Sequence, residues 1–204
     1  MICAAVAGKD FVTVSTDMRV SSGYGILKNN HSKTYQLTKT CVLTAGGMVA
    51  DIECLVKTLK TRIRIYSMQM KREPTIESLA KLLSNTLYGR RFMPYYSFNL
   101  LCGIDSNTGE GVVFGYDAVG SFDKITYGSQ GSGNSLAAPI LDNQFVGHNH
   151  MVKTLPTSIK DVEDTTKDII NSIAERDIYT GDATETITVT KDGITRSSMK
   201  IRCD

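Results

Sequence analysis

The apolar residues change period at Gly46-Gly47, and that change limits the folds open to this chain. Five β-rich runs precede it. Residues 2–7 and Phe11 to Thr16 flank a Gly8-Lys9-Asp10 turn, Tyr24 to Leu27 and Thr34 to Leu37 flank Asn29-Asn30, and Cys41 to Ala45 leads into the glycines. Beyond the glycines, Val49, Ile52, Val56, Leu59, Ile63 and Tyr66 recur at steps of three and four, which predicts an amphipathic helix from Met48 to about Tyr66. Thr75 is the expected N-cap of a second helix carrying Ile76, Leu79, Leu83 and Leu87. The theme then repeats. Tyr95 to Ile104 and Val112 to Tyr116 read as a hairpin, and Phe122 to Tyr127 as a further strand. A short helix over Ser135 to Asn143 has to accommodate Pro139. Residues 144–157 lack periodicity and read as a long loop. A helix starting near Ser158 turns Val162, Ile169, Ile170 and Ile173 inward, and a hairpin of Thr184 to Thr190 and Ile194 to Ile201 ends the pattern. Runs of strands separated by runs of helices predict a layered α+β domain with antiparallel sheets, not a parallel βαβ fold.

Composition serves mainly to exclude. No Pro/Gly/Ser-rich linker divides the 204 residues, so residues 1–204 read as one domain, long enough to hold a core without metal or disulfide. A net charge of +2 with no long basic run gives no footprint for nucleic acid, and no apolar run has membrane-spanning length. The apolar Met1 to Ala7 lacks a charged leader and breaks at Gly8-Lys9-Asp10, so it reads as a first strand and not a signal peptide. Cys3, Cys41, Cys54, Cys102 and Cys203 are widely spaced and form no CxxC pair; reduced, mostly buried thiols are expected. His148 and His150 lack a nearby third ligand, which favours a solvated loop over a metal site. The glycines at 128, 131 and 133 are not followed by Gly-Lys-Ser/Thr, so they make no phosphate loop, and no cofactor is expected.

Several segments carry a resemblance. Ser15-Thr16-Asp17-Met18-Arg19, then Lys33, then Ala45-Gly46-Gly47-Met48-Val49-Ala50-Asp51, then Gly131-Ser132-Gly133, and finally Arg176-Asp177-Ile178-Tyr179-Thr180-Gly181 resemble, in order and spacing, the motifs of beta-type subunits of the proteasome core particle. The last differs from the family pattern by Thr180 in place of Ser. Leu87 to Tyr96, Ile140 to Gln144 and Ala174 to Asp182 resemble the non-catalytic beta-six (beta type-1) branch in particular. The resemblance implies an N-terminal-nucleophile-hydrolase-like four-layer αββα sandwich of two antiparallel sheets. It also implies assembly with other beta and alpha subunits in stacked seven-membered rings, passage of polypeptide substrates through the enclosed chamber, and residence in cytoplasm and nucleus.

Active members of that family use an N-terminal threonine, whose hydroxyl attacks while its own α-amine takes the proton. Counting back from Asp17 places Met1 at that position, and a thioether has no proton to lose. Asp17, Lys33, Gly47, Ser132 and Asp177 then surround no nucleophile, and Asp17 with Lys33 reads as a partly buried ion pair. No catalytic residue is expected. Cys3 is the alternative nucleophile, but it lies two strand positions, about 6.6 Å, out of register. A rival reading makes the chain an active threonine or cysteine hydrolase cut from a longer precursor. An alpha-type subunit would call for an extra helix before the first strand. The loop 144–157, with Phe145, Val146, Met151, Val152 and Leu155, is expected to be an inter-subunit contact arm or to fold back on its own domain.

Overall fold

A computed structural model describes residues 1–145 and 155–201. The first stretch contains β1 (Ile2–Ala7), β2 (Phe11–Asp17), β3 (Val20–Ser22), β4 (Gly25–Lys28), β5 (Thr34–Gln36) and β6 (Cys41–Gly47). Two helices follow, α1 (Val49–Met70) and α2 (Ile76–Tyr88). Then come β7 (Ser97–Ile104), β8 (Gly111–Tyr116), β9 (Phe122–Ile125) and β10 (Tyr127–Gly131), the helices α3 (Asn134–Gln144) and α4 (Ile159–Ala174), and the closing pair β11 (Ala183–Thr190) and β12 (Gly193–Lys200).

Two antiparallel five-stranded sheets result, in the orders β10-β1-β2-β11-β12 and β5-β6-β7-β8-β9, with β3-β4 as a separate ribbon. Alternation along the strands builds the layers. Cys3, Ala5 and Ala7 of β1 face the second sheet, in a cluster with Val42, Leu100, Cys102 and Val113. Ile2 and Val6 of the same strand face the other way, onto Leu141 of α3 and Val162, Ile169, Ile170 and Ile173 of α4. Likewise Leu43 and Leu101 face Ile52, Leu55, Leu59, Leu79 and Leu83 of α1 and α2. Each sheet is thus buried on both faces, which is why its strands read as nearly continuous apolar runs. The stack is α1/α2, sheet, sheet, α3/α4, the four-layer sandwich expected.

The expected elements mostly stand, with differences that have physical reasons. Thr75 caps α2, its hydroxyl accepting from the Ser78 N–H at 3.3 Å. Ser158 does the same for α4 through Asp161. Pro139 lies inside α3, where it supplies no N–H to the Ser135 carbonyl one turn back; both residues are exposed. Asn29-Asn30 does not join paired strands: β4 turns back on β3, which the sequence reading missed, while β5 joins the second sheet. The strand expected over Phe122 to Tyr127 is two strands in different sheets, with Thr126 at the crossing and accepting from the Ala7 N–H at 2.7 Å. Most of the 144–157 segment lies outside the described residues, as do His148, His150 and Cys203. At its described ends the segment packs on its own domain: Phe145 is buried beside Tyr127, and the Pro156 carbonyl accepts from Lys9 N–H. Of the four described cysteines Cys3, Cys41 and Cys102 are buried and Cys54 is exposed.

The β1–β2 turn lies close against the start of β8, with the Gly111 N–H donating to the Gly8 carbonyl at 3.2 Å. A side chain on Gly111 would place its Cβ 1.9 Å from the Phe11 carbonyl oxygen and 2.8 Å from that of Gly8. Backbone cannot yield there as a flexible side chain would. Gly111→Ala is therefore expected to destabilise the fold by about 1–3 kcal/mol. Thermal unfolding should show this as a fall of ~2–4 °C per kcal/mol for a chain of this size. An unchanged melting temperature would show that the sheets separate at this point without cost.

Candidate functional site

The candidate site lies at one end of the two sheets, where the start of β1, the end of β2 and the end of β6 converge. Met1 precedes β1. Its nitrogen, an α-amine in this structure, donates to Ser132 Oγ at 2.9 Å, Thr180 Oγ1 at 2.9 Å and Asp177 Oδ2 at 3.4 Å. Both hydroxyls donate hydrogen bonds to the same carboxylate oxygen, Ser132 at 2.6 Å and Thr180 at 2.7 Å. The result is a closed network in which each hydroxyl accepts from the amine and donates to Asp177. Burial lowers the amine from its ordinary 8.0, against the pull of Asp17 and Asp177 toward the charged form. Burial pushes Asp177 up, but the Ser132 and Thr180 hydroxyls, the Met1 ammonium and the Tyr179 N–H together hold it below its ordinary 3.8.

Asp17 and Lys33 form the second part of the site. The Lys33 Nζ lies 2.7 Å from Asp17 Oδ1 and donates to the Asp17 backbone carbonyl at 2.6 Å. Asp17 Oδ1 also accepts from the Ile2 N–H at 2.7 Å, and Oδ2 from the Arg19 N–H at 3.3 Å. The sequence reading of a partly buried pair needs correction: the two side chains are 3% and 0% exposed. The strand ends draw both groups beneath the mouth of the site instead of leaving them at its surface. Burial lowers the Lys33 pKa and the adjacent Asp17 carboxylate opposes that shift.

Around Met1 opens a cleft of about 950 Å³, walled by Arg19 to Gly23 and Leu27 on one side and by Gly47 to Ala50, Tyr96 and Phe98 on another, with Gln130 to Ser132 and Tyr179 completing it. Gly47 is required at its place in that wall, with φ +135° and with the site of a Cβ 2.3 Å from the Tyr96 carbonyl oxygen. The start of α1 is pinned to the same segment: Met48 N–H donates to the Tyr96 carbonyl and Tyr96 N–H to the Asp51 carboxylate, both at 2.8 Å. All six expected positions, Met1, Asp17, Lys33, Gly47, Ser132 and Asp177, thus come together. Sequence reasoning missed two contributions. Thr180 was seen only as a motif variant, yet its hydroxyl holds Met1. Arg19 forms a buried two-point contact with Asp182, at 2.9 and 3.2 Å, which fixes the 177–182 segment. The positive φ of Asp182, +71°, has no sequence signal beyond the neighbouring glycine.

Chemically, the site offers an amine, an oriented carboxylate and a buried cation, but at position 1 a thioether. The Ser132 and Thr180 hydroxyls are committed to Asp177. The Cys3 thiol is buried against the Gln130 carbonyl, and burial pushes its pKa up to about 11, far from a reactive thiolate. Among the described residues, no group of three His, Cys, Asp or Glu could hold a metal.

The profile of the family described as Proteasome subunit matches residues 2–189. The chain belongs to the proteasome subunit family. Over 207 residues it is 42% identical to proteasome subunit beta type-1 of Arabidopsis thaliana, an alignment covering 99% of this chain and 92% of that protein. It is 43% identical over 203 residues to proteasome subunit beta type-1 of Dictyostelium discoideum, covering 98% and 86%. With proteasome subunit beta type-6 of Saccharomyces cerevisiae it shares 33% over 210 residues, covering 98% and 86%.

In this proteasome-family chain the Asp17–Lys33 pair should behave as one unit. Removing one partner of a buried pair costs about 3–5 kcal/mol, because the other charge is left without compensation. Lys33→Met and Asp17→Asn should each show a loss of that order in urea unfolding. The double variant should lose less than the sum of the two. Strict additivity would mean that the two side chains do not support one another.

Proposed function

We propose that this chain is a non-catalytic subunit of a proteasome core particle. It forms part of the wall of the proteolytic chamber and helps to position its neighbours, while peptide bonds are cut on other chains. One observation carries this reading. A methionine side chain stands at position 1, at the head of the cleft and beside the amine, carboxylate and buried lysine. Whatever precedes that residue in the cell, its thioether supplies no hydroxyl or thiol to attack a carbonyl. The support for the assembly role is the family membership and the likeness to proteins named as beta type-1 subunits. Partners on this reading are the other beta and alpha subunits of stacked seven-membered rings, with unfolded and ubiquitin-tagged polypeptides as what the whole particle degrades. The burial and raised pKa of Cys3 weigh against a cysteine hydrolase.

The test is to express the tagged chain, unaltered and as Lys33→Ala, in its native cells and to purify whatever particle it enters. Native mass measurement should find the unaltered chain among many different chains of similar size. Lys33→Ala should lower the yield of particles and leave each hydrolytic activity, expressed per particle, unchanged. Recovery of the unaltered chain mainly as a monomer would overturn the assembly role. Loss of one peptidase activity in particles formed at full yield would overturn the non-catalytic role.

A further inference from the structure

The layer between the two sheets is apolar until the end that carries the site, where the strand register brings polar side chains onto its facing surfaces. On β2, Val12 and Val14 belong to that layer, and alternation puts Thr16 on the same face. Glu185, the partner of Thr16 on β11, follows Ile187 and Val189 onto that face in the same way. From the second sheet, Tyr35 of β5 turns toward the α1/α2 layer, so Thr34 turns inward beside Thr44. Thr16 is fully buried, and Thr34 and Glu185 are 4% and 9% exposed. Ser32 Oγ donates to Glu185 Oε2 at 2.5 Å and accepts from the Thr34 N–H at 3.4 Å, which draws the group together. Arg196 Nη1 stands at the rim, 3.2 Å from Glu185 Oε1.

Two members of this group lack what burial demands. Among the described residues, neither Thr16 Oγ1 nor Thr34 Oγ1 has a hydrogen-bond partner. A buried hydroxyl without one has lost its bonds to solvent and gained nothing in return, and valine would fill either place without that loss. Thr184 Oγ1 shares the condition but belongs to the opposite face of β11. Thr16 and Thr34 are also the chain neighbours of Asp17 and Lys33, whose contact already draws β2 and β5 together. Facing sheets stand about 10 Å apart, and each threonine oxygen reaches roughly 2.4 Å from its Cα. Between hydroxyls facing across the gap that leaves about 5 Å, the span of two O–H···O bonds of ~2.7 Å through one water. The charges favour a neutral occupant. Arg196 already meets Glu185, and Lys33 meets Asp17, so a further cation would enter without compensation. Water can donate to the carboxylate while it exchanges bonds with both hydroxyls, which gives it the roughly three partners that buried waters have.

We infer that one structural water is bound between the sheets beside the Asp17–Lys33 pair, held by the hydroxyls of Thr16 and Thr34 and by the Glu185 carboxylate. It joins β2 and β11 of the first sheet to β5 of the second, a second link next to the ion pair. The test has two arms, both on the full chain. A structure at a resolution that shows ordered water should contain a density peak within hydrogen-bond distance of Thr16 Oγ1 and Thr34 Oγ1. Absence of the peak, with either hydroxyl turned to a protein group instead, overturns the inference. So does a strong anomalous peak at that place in crystals soaked in thallium(I), which would make the occupant a cation. The second arm turns on a sign. Thr16→Val and Thr34→Val keep the side-chain shape, so unpartnered hydroxyls predict a higher melting temperature. Hydroxyls that hold a water predict a fall of about 2–4 °C for each, and less than the sum for the double variant because both act on one molecule. A rise in either single variant, or strict additivity in the double, contradicts a shared water. Should the valine variants fail to fold, Thr16→Ser and Thr34→Ser keep the hydroxyls and should keep the density peak; its loss in both would overturn the assignment.

Discussion

A single buried carboxylate ties the architecture to the site. Asp17 ends β2 in the first sheet, yet it holds the Ile2 N–H at the head of β1 and the ammonium of Lys33, which enters β5 of the second sheet. The Lys33 carbonyl is in turn held by Thr44 Oγ1 at 3.1 Å and Ala45 N–H at 3.4 Å, both from β6. The pair therefore joins the two sheets at the end that carries the site. Such a pair is a poor source of net stability, because desolvating two charges offsets most of their attraction. Its effect here is geometric. It sets the height of Met1 relative to Gly47 and the start of α1, and so the shape of the cleft.

Around that joint, groups suited to chemistry act as fasteners. The Met1 nitrogen, Ser132, Thr180 and Asp177 bring together the start of β1, the turn before α3 and the segment after α4. Arg19 draws the same segment to the end of β2 through Asp182 and the Ile178 carbonyl. Each link is satisfied within the chain, so the site keeps its form with a methionine at its centre. A methionine at position 1 leaves such a network intact, because no link in it passes through the side chain of residue 1.

Much of this was legible in the sequence. The stripe Ile52, Val56, Leu59 and Ile63 gave α1 its position because helical burial repeats locally, and Thr75 marked the cap of α2 because a capping side chain bonds only a few residues along the chain. Ordered motifs brought all six site positions into view. What stayed hidden depends on pairing between residues far apart in the chain. Periodicity over Phe122 to Tyr127 cannot tell one strand from two that part into different sheets at Thr126. Val20–Ser22 is too short for any pattern to emerge. The full burial of Lys33 follows from packing of both sheets, and the Arg19–Asp182 contact spans 163 residues.

The central claim is that an intact framework surrounds a position without a nucleophile. It is tested most directly by treating the intact particle with a covalent reagent directed at N-terminal threonines and mapping every adduct by mass spectrometry. The account predicts adducts on other beta chains and none on this one. An adduct within residues 1–3 of this chain, lost when Lys33 is replaced by Ala, would contradict it.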